Sequence, residues 1–335
     1  MMRKTICSLL FSLIFVAPSF SQVAIPYGEG SGKVDYMNQK KLPGSSDPVG
    51  DGPASFRIVN NKFIIADSVG GKIIFADENG KIKAELPILK KGDKPVSNAP
   101  LKILIEDIAP VLGDFGVING VWVADGMRQT VTRYDMKGNA VKTISNPEFG
   151  QINTIEYGIG GHLFVSDMVK RRIFVYDTEG KFERSFNWEW SGFAVSGSND
   201  DLHRLMYVRE INKSMLVTTD LNNKILREVS LNLPNHMNPR LWWVDDVKEE
   251  CVISYIPVSM IGKMGNVSEI MIARVGYNGK IKESKAFKRP IAMINRFIAH
   301  ADYEKIFVAD ANYNEAPNGQ FKIVPFSFET KKKKK

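Results

Sequence analysis

Short apolar runs in this chain end repeatedly on an aspartate: Asp67, Asp125, Asp167, Asp220 and Asp310 each follow an Ala, Ser or Thr that closes such a run. Brought together in a ring, these carboxylates would suit calcium, which takes oxygen ligands. An aspartate at a strand end equally accepts hydrogen bonds from the amides of the following turn. Repetition in every good unit favours the turn role, because a metal site needs its ligands only once. Cations follow the first four aspartates at Lys72, Arg128, Arg171, Arg172 and Lys224. If the aspartates close equivalent strands, these cations line one face and would attract an anionic ligand such as an acidic glycan, a phosphate or a carboxylate-rich peptide. Their alternative is to be solvated turn residues alternating with acids.

Aromatic residues form the second group with chemical potential. In the stretch Phe186-Asn187-Trp188-Glu189-Trp190, an extended backbone would put Trp188 and Trp190 on one side. On a loop they would make a stacking platform for a sugar or peptide. Trp242 and Trp243 are adjacent, so a regular strand would point them to opposite faces and bury at least one. The chain has no GxSxG elbow, HExxH or P-loop, and Cys251 sits inside an apolar run that reads as a buried strand.

The elements that must position these residues are short. After Asp67, Asp125 and Asp167 comes a turn, then a second apolar run ending at Asp77, Asp135 or Asp177, with Gly80, Gly138 or Gly180 three residues on. Glycine there supplies a positive φ for a tight hairpin, and Asn278-Gly279-Lys280 repeats the turn. Several strands are apolar at consecutive positions, which requires burial on both faces. Radial stacking of four-stranded sheets provides it. Units fall at 56–86, 115–144, 155–186, 205–231, 241–287 and from 296 onward, the fifth degenerate. Six units predict one closed ring, all-β, with a strand around 33–37 recruited to complete the last blade and remove exposed sheet edges. Two inserts, 87–110 and 192–201, read as loops or as a strand extension with a solvated crossing.

The pattern of apolar strand, Asp, short turn, basic residue, Ile or Val, apolar strand and Gly-Lys resembles the NHL-repeat family of six-bladed β-propellers, exported bacterial members included. It runs through about 51–328, strongly in three units. The resemblance implies four-stranded antiparallel blades around a channel. It leaves function open, since this architecture hosts binding modules, lyases and lactonases. Its enzymatic relatives include a zinc-dependent peptide-amidating lyase whose metal histidines come from inner strands. Of the four histidines here, His203 and His236 are expected near one channel mouth, and His162 and His300 near the opposite face. Two histidines fall short of the three ligands a catalytic zinc site needs. No cofactor is therefore expected, with calcium or zinc reserved for the alternative of a metal-dependent lyase or lactonase.

The opening residues place Arg3 and Lys4 ahead of an apolar run too short to span a bilayer, then Ser19 and Ser21. This is the layout of an export signal over 1–21, leaving an extended lead-in over 22–51, a propeller over 52–328 and a disordered tail over 329–335. Cleavage would remove Cys7, leave Cys251 alone without an internal disulfide, and leave no transmembrane span. A periplasmic or secreted bacterial protein is expected. The net charge of +8 includes the five lysines Lys331 to Lys335, so the body carries only about +3. That balance and export argue against a nucleic-acid partner. The lysine run either contacts an anionic cell-surface polymer or is an end without a selected role. The sequence thus reads as an exported, non-catalytic binding or scaffold module for a peptide, glycan or protein.

Overall fold

The computed structural model describes residues 22–38, 50–89, 103–261, 269–288, 290, 294–301 and 305–328. Residues 1–21, expected as an export signal, residues 90–102 of the basic insert and the tail from 329 lie outside them. Six four-stranded antiparallel sheets form a six-bladed β-propeller. Blade one shows the plan: Ser55–Val59, Lys62–Asp67, Lys72–Ala76 and Ile82–Pro87 pair in order from the inside outward. Blades two to five repeat it over 105–145, 152–187, 193–231 and 236–288. The sixth takes three strands from the end of the chain and its fourth from Val23–Pro26.

Consecutive apolar positions are satisfied as the pattern demands. Phe63, Ile65 and Ile74 pack toward blade six, while Ile64, Ala66, Ile73 and Phe75 pack toward blade two. One apolar cluster fills each of the six interfaces between neighbouring blades. Full burial of one such side chain stabilises by roughly 1.5–3 kcal/mol, so the ring is held by its interfaces rather than by any single blade. Gly80, Gly138 and Gly180 have φ of 77, 82 and 72°, as their hairpins require.

The ring closes at a different place from the expected 33–37. Val23 pairs with Ile323 and Pro26 with Gln320, with Val23 and Ile25 buried and Ala24 and Pro26 exposed. The period of two in 23–26 fits an outer strand with one buried face. Gly28, Gly30 and Gly32, all at positive φ, then turn the chain away so that the Asp35 amide reaches the Asp67 carboxylate. Two more strands lie where inserts were expected. Ile105–Leu112 is the innermost strand of blade two and Phe193–Ser196 that of blade four.

Alternation of strand direction defines two faces. The upper face carries the start of each innermost strand and the turns between second and third strands. The lower face carries the first-to-second and third-to-fourth turns.

Candidate functional site

The channel is built from the innermost strands, and charge fills it. Arg57 donates to both Glu156 oxygens at 2.9 Å, to Asp107 Oδ2 at 3.0 Å and to the Ile108 carbonyl at 2.8 Å. Arg296 reaches Glu156 Oε1 at 2.6 Å and Asp107 Oδ2 at 3.4 Å. Asp107 also accepts from Ser55 Oγ and from the Ile108 and Ile155 amides. Burial alone would raise the Asp107 carboxyl, but the Arg57 and Arg296 cations outweigh it and hold the group below the usual carboxylate range. Removing one partner of such a network would leave a buried charge uncompensated.

On the upper face, the aspartates of blades one to three are turn acceptors. Asp67 accepts from the amides of Asp35 and Gly70, Asp125 from Met127 and Arg128, and Asp167 from Gly150, Gln151 and Lys170. Asp310 ends the equivalent strand in blade six but is exposed. Asp220 departs from the expected ring. It follows the third strand of blade four, accepts from the Lys224 amide at 2.8 Å, and so belongs to the lower face with Asp77, Asp135 and Asp177. Lys224 goes with it, away from the other four cations.

Those four do not converge either. Lys72 is held by the Gly30 carbonyl at 2.7 Å and Glu85 at 3.1 Å. Arg128 is paired with Asp125 at 2.5 Å, and Arg172 donates to Ser185. Arg171 lies over the Trp190 ring, its guanidinium carbon 4.5 Å from the centroid. Trp188 and Trp190 separate as well. The Trp188 amide continues the ladder to the Arg171 carbonyl, and its side chain is buried in the interface of blades three and four. Trp190, at φ 63°, turns outward with 49% of its surface exposed, and its Nε1 donates to the Met168 carbonyl.

Beside Trp190 lies a groove of about 730 Å³ bounded by Arg171, Glu189, Tyr207, Arg209, Asn238 and Arg240, among others. Arg240 comes from the innermost strand of blade five, where Asn238 at φ 49° and a register shift bulge the strand. Its guanidinium carbon lies 4.5 Å from the Trp242 ring centroid. Burial, with the Arg296 cation second, pushes the Arg240 guanidinium down to about 10. A second shift, between Leu241 and Trp243, turns both Trp242 and Trp243 toward blade six, with Trp243 stacked on His300. Exposed Val169, Val208, Ile211, Val258 and Met260 stand on the upper turns of blades three to five.

The histidines do not assemble. His203 is fully buried near the lower face of blade four, 2.7 Å from Ser196 Oγ and 2.9 Å from Thr218 Oγ1, with Asp246 at 3.4 Å. His236 is buried at the upper end of blade five, with Ser214 Oγ at 2.8 Å and the Pro234 carbonyl at 2.7 Å. The two stand at opposite ends of their blades, not at one channel mouth. His162 bonds Asp200 on the lower face. Among the described residues no group of three or more His, Cys, Asp and Glu side chains is arranged to hold a metal ion. Of the residues bounding the groove beside Trp190, the sequence reading named Arg171 and Trp190 and did not name Arg240, Arg209 or Tyr207.

No protein-family model matches the chain, and no curated protein matches it. Among solved structures, it is similar to a member of the DUF4221 family from Bacteroides vulgatus, with 12% identity, 92% of this chain and 97% of that chain covered, and a TM-score of 0.54. It is also similar to a chain of a nidogen/laminin complex (15% identity, 80% and 89% covered, TM-score 0.49) and to virginiamycin B lyase from Staphylococcus aureus (15%, 82% and 95%, 0.44). At such identity the likeness is one of fold. No helix among the described residues is long and apolar enough to cross a membrane.

Proposed function

We propose that this propeller is a non-catalytic binding module whose upper face, over blades three to five, seats a protein partner or a peptide segment of one. The observation that carries the reading is Trp190. A bulky residue in the left-handed region costs on the order of 1–2 kcal/mol, yet here it holds half an indole in water at the rim of a groove. Val169, Ile211, Val258 and Met260 are exposed on the upper turns of the same blades and add apolar surface to that face. Such a patch suits a protein surface better than a glycan, whose hydroxyls would face aliphatic carbon. The reading needs no cofactor. We place the module outside the cytoplasm on the export-type layout of 1–21, and we take it as a divergent relative of the NHL repeat, whose aspartate signature is clear only in blades one to three.

A displayed peptide library selected on the purified protein tests this. Selected peptides should lose binding at least about tenfold to Trp190→Ala. They should bind Phe115→Ser normally, since Phe115 is exposed on the lower face. Peptides that ignore Trp190 and respond to the lower-face change would overturn the proposal.

A further inference from the structure

The cations of the channel are not equally paired. Three guanidinium groups, Arg57, Arg296 and Arg240, come from the innermost strands or their approach, where the carboxylates are Glu106, Asp107 and Glu156 and Glu106 is held by Asn295. The other two acids are already engaged: Asp107 by five donors and Glu156 by Arg57 and Arg296. Among the described residues no carboxylate or carbonyl pairs with Arg240. It is stacked on Trp242 and is the least exposed of the three cations that bound the upper groove. At the mouth, Arg171 and Arg209 stand with Glu189 and Glu210, so charge there is even, and Arg240, which feels Asp107 only at a distance, is the cation without a bonded acid. A half-buried cation without a bonded counter-ion carries a desolvation cost that an anion arriving from elsewhere would relieve.

We infer that Arg240 is a carboxylate clasp: the partner seated on the upper face inserts an acidic side chain or a free carboxy terminus into the groove, and its two oxygens take the guanidinium fork. The inference rests on the upper groove being the binding site. Trp242 fixes the guanidinium plane from below, so little freedom is lost when the acid arrives. The exposed aliphatic tips then set the direction from which the partner enters.

The test uses the full chain and short capped peptides of Val and Ala with a central Glu, the same peptides with Gln, and the Gln peptides with a free carboxy terminus, titrated calorimetrically at low salt. Wild type should bind the Glu or the free-terminus peptide at least about tenfold more tightly than capped Gln, and which of them wins identifies the source of the carboxylate. Arg240→Gln should abolish that preference, and Arg240→Lys, which keeps the charge without the fork, should restore only part of it. Without peptide, Arg240→Gln should melt no lower than wild type, because it removes a half-buried charge that no carboxylate bonds. Equal binding of Glu, free-terminus and capped Gln peptides, or a preference that survives Arg240→Gln, would overturn the clasp while leaving the groove reading in place. Failure of wild type to bind any of the peptides, together with no dependence of library-selected peptides on Trp190, would overturn both.

Discussion

Blades one to three and blades four and five solve the same turn in different ways. In the first group the second strand ends on an aspartate whose carboxylate gathers the amides around it. In the second the strand runs to Val208 or Pro257 and enters a short 3₁₀ turn, Arg209–Ile211 or Val258–Met260, with no side-chain cap on its first residue. The capped turns of blades one and two raise no exposed aliphatic side chain, whereas the uncapped ones raise Val208, Ile211, Val258 and Met260, and the groove beside Trp190 runs from Arg171 past the blade-four turn to the innermost strand of blade five. On the proposed reading, the repeat is the scaffold and its lapse the binding surface, as when function is grafted onto a rigid fold.

The largest effect should come from breaking the capped half. Asp167 is fully buried and accepts three amides. Asp167→Ala leaves those amides without an acceptor and should lower stability by about 3 kcal/mol, read from urea unfolding. Arg209→Ala in an uncapped turn should change it by less than about 0.5 kcal/mol. Equal losses in the two halves would erase the distinction.

Next in size is a pH effect in blade one, which adds to that of Glu106 in blade two, whose carboxyl burial also raises to about 7. Burial raises the Asp67 carboxyl from its ordinary 3.8 to about 7, against the opposing amide hydrogen bonds from Gly70 and Asp35. Between those values the folded chain keeps a proton that the unfolded chain releases. The unfolded state then binds fewer protons, and stability falls as pH rises from about 4 to about 7. Asp67→Asn keeps an acceptor for the amides and cannot ionise, so it should flatten that part of the stability profile and be the more stable form at pH 8. An unchanged slope in the variant would show that Asp67 is ionised in the fold.

These two halves also explain what could be read from the sequence. Six units were legible because runs of consecutive apolar residues recur along the chain, with fixed Asp and Gly punctuation in the capped hairpins. The innermost strands Ile105–Leu112 and Phe193–Ser196 were not, since they face the channel or a neighbouring blade and follow no aspartate signal. Asp220 was placed one hairpin out of phase because its third-to-fourth turn, like the second-to-third turns, follows an apolar run with a cation. The site was hidden by backbone irregularity: left-handed Trp190 breaks the parity with Trp188, and the bulge at Asn238 re-aims Arg240. Neither departure has a signal in residue type alone. In blade five, the strand signal was also obscured by the tryptophan pair turned to one side.

The uncapped half can be sharpened by separating binding from stability. Trp190→Ala should weaken a bound peptide at least about tenfold while shifting stability by less than about 1 kcal/mol, because the indole is half exposed and its loss relieves little buried packing. A large loss of stability would make Trp190 a structural plug.

The smallest effect lies at one backbone position shared by three blades. The residue before the third strand is left-handed in each: Gly71 at φ 62°, Gln129 at 51° and Arg171 at 53°. The turn itself demands that geometry, so strain at Arg171 is not by itself a mark of function. Glycine adopts it freely, and Arg171→Gly relieves about 1 kcal/mol of steric cost. It also loosens the unfolded chain and removes the guanidinium from Trp190, each worth roughly 0.5–1 kcal/mol in the opposite direction. The net change in stability should therefore lie within about 1 kcal/mol of zero, while peptide affinity falls several-fold as Trp190 loses the plate that holds its ring. Gln129→Gly in the capped half relieves the same strain with no indole to release, and should leave affinity untouched. If both glycine variants bind alike, the Arg171 stack contributes nothing to recognition, and the groove is shaped by Trp190 and Arg240 alone.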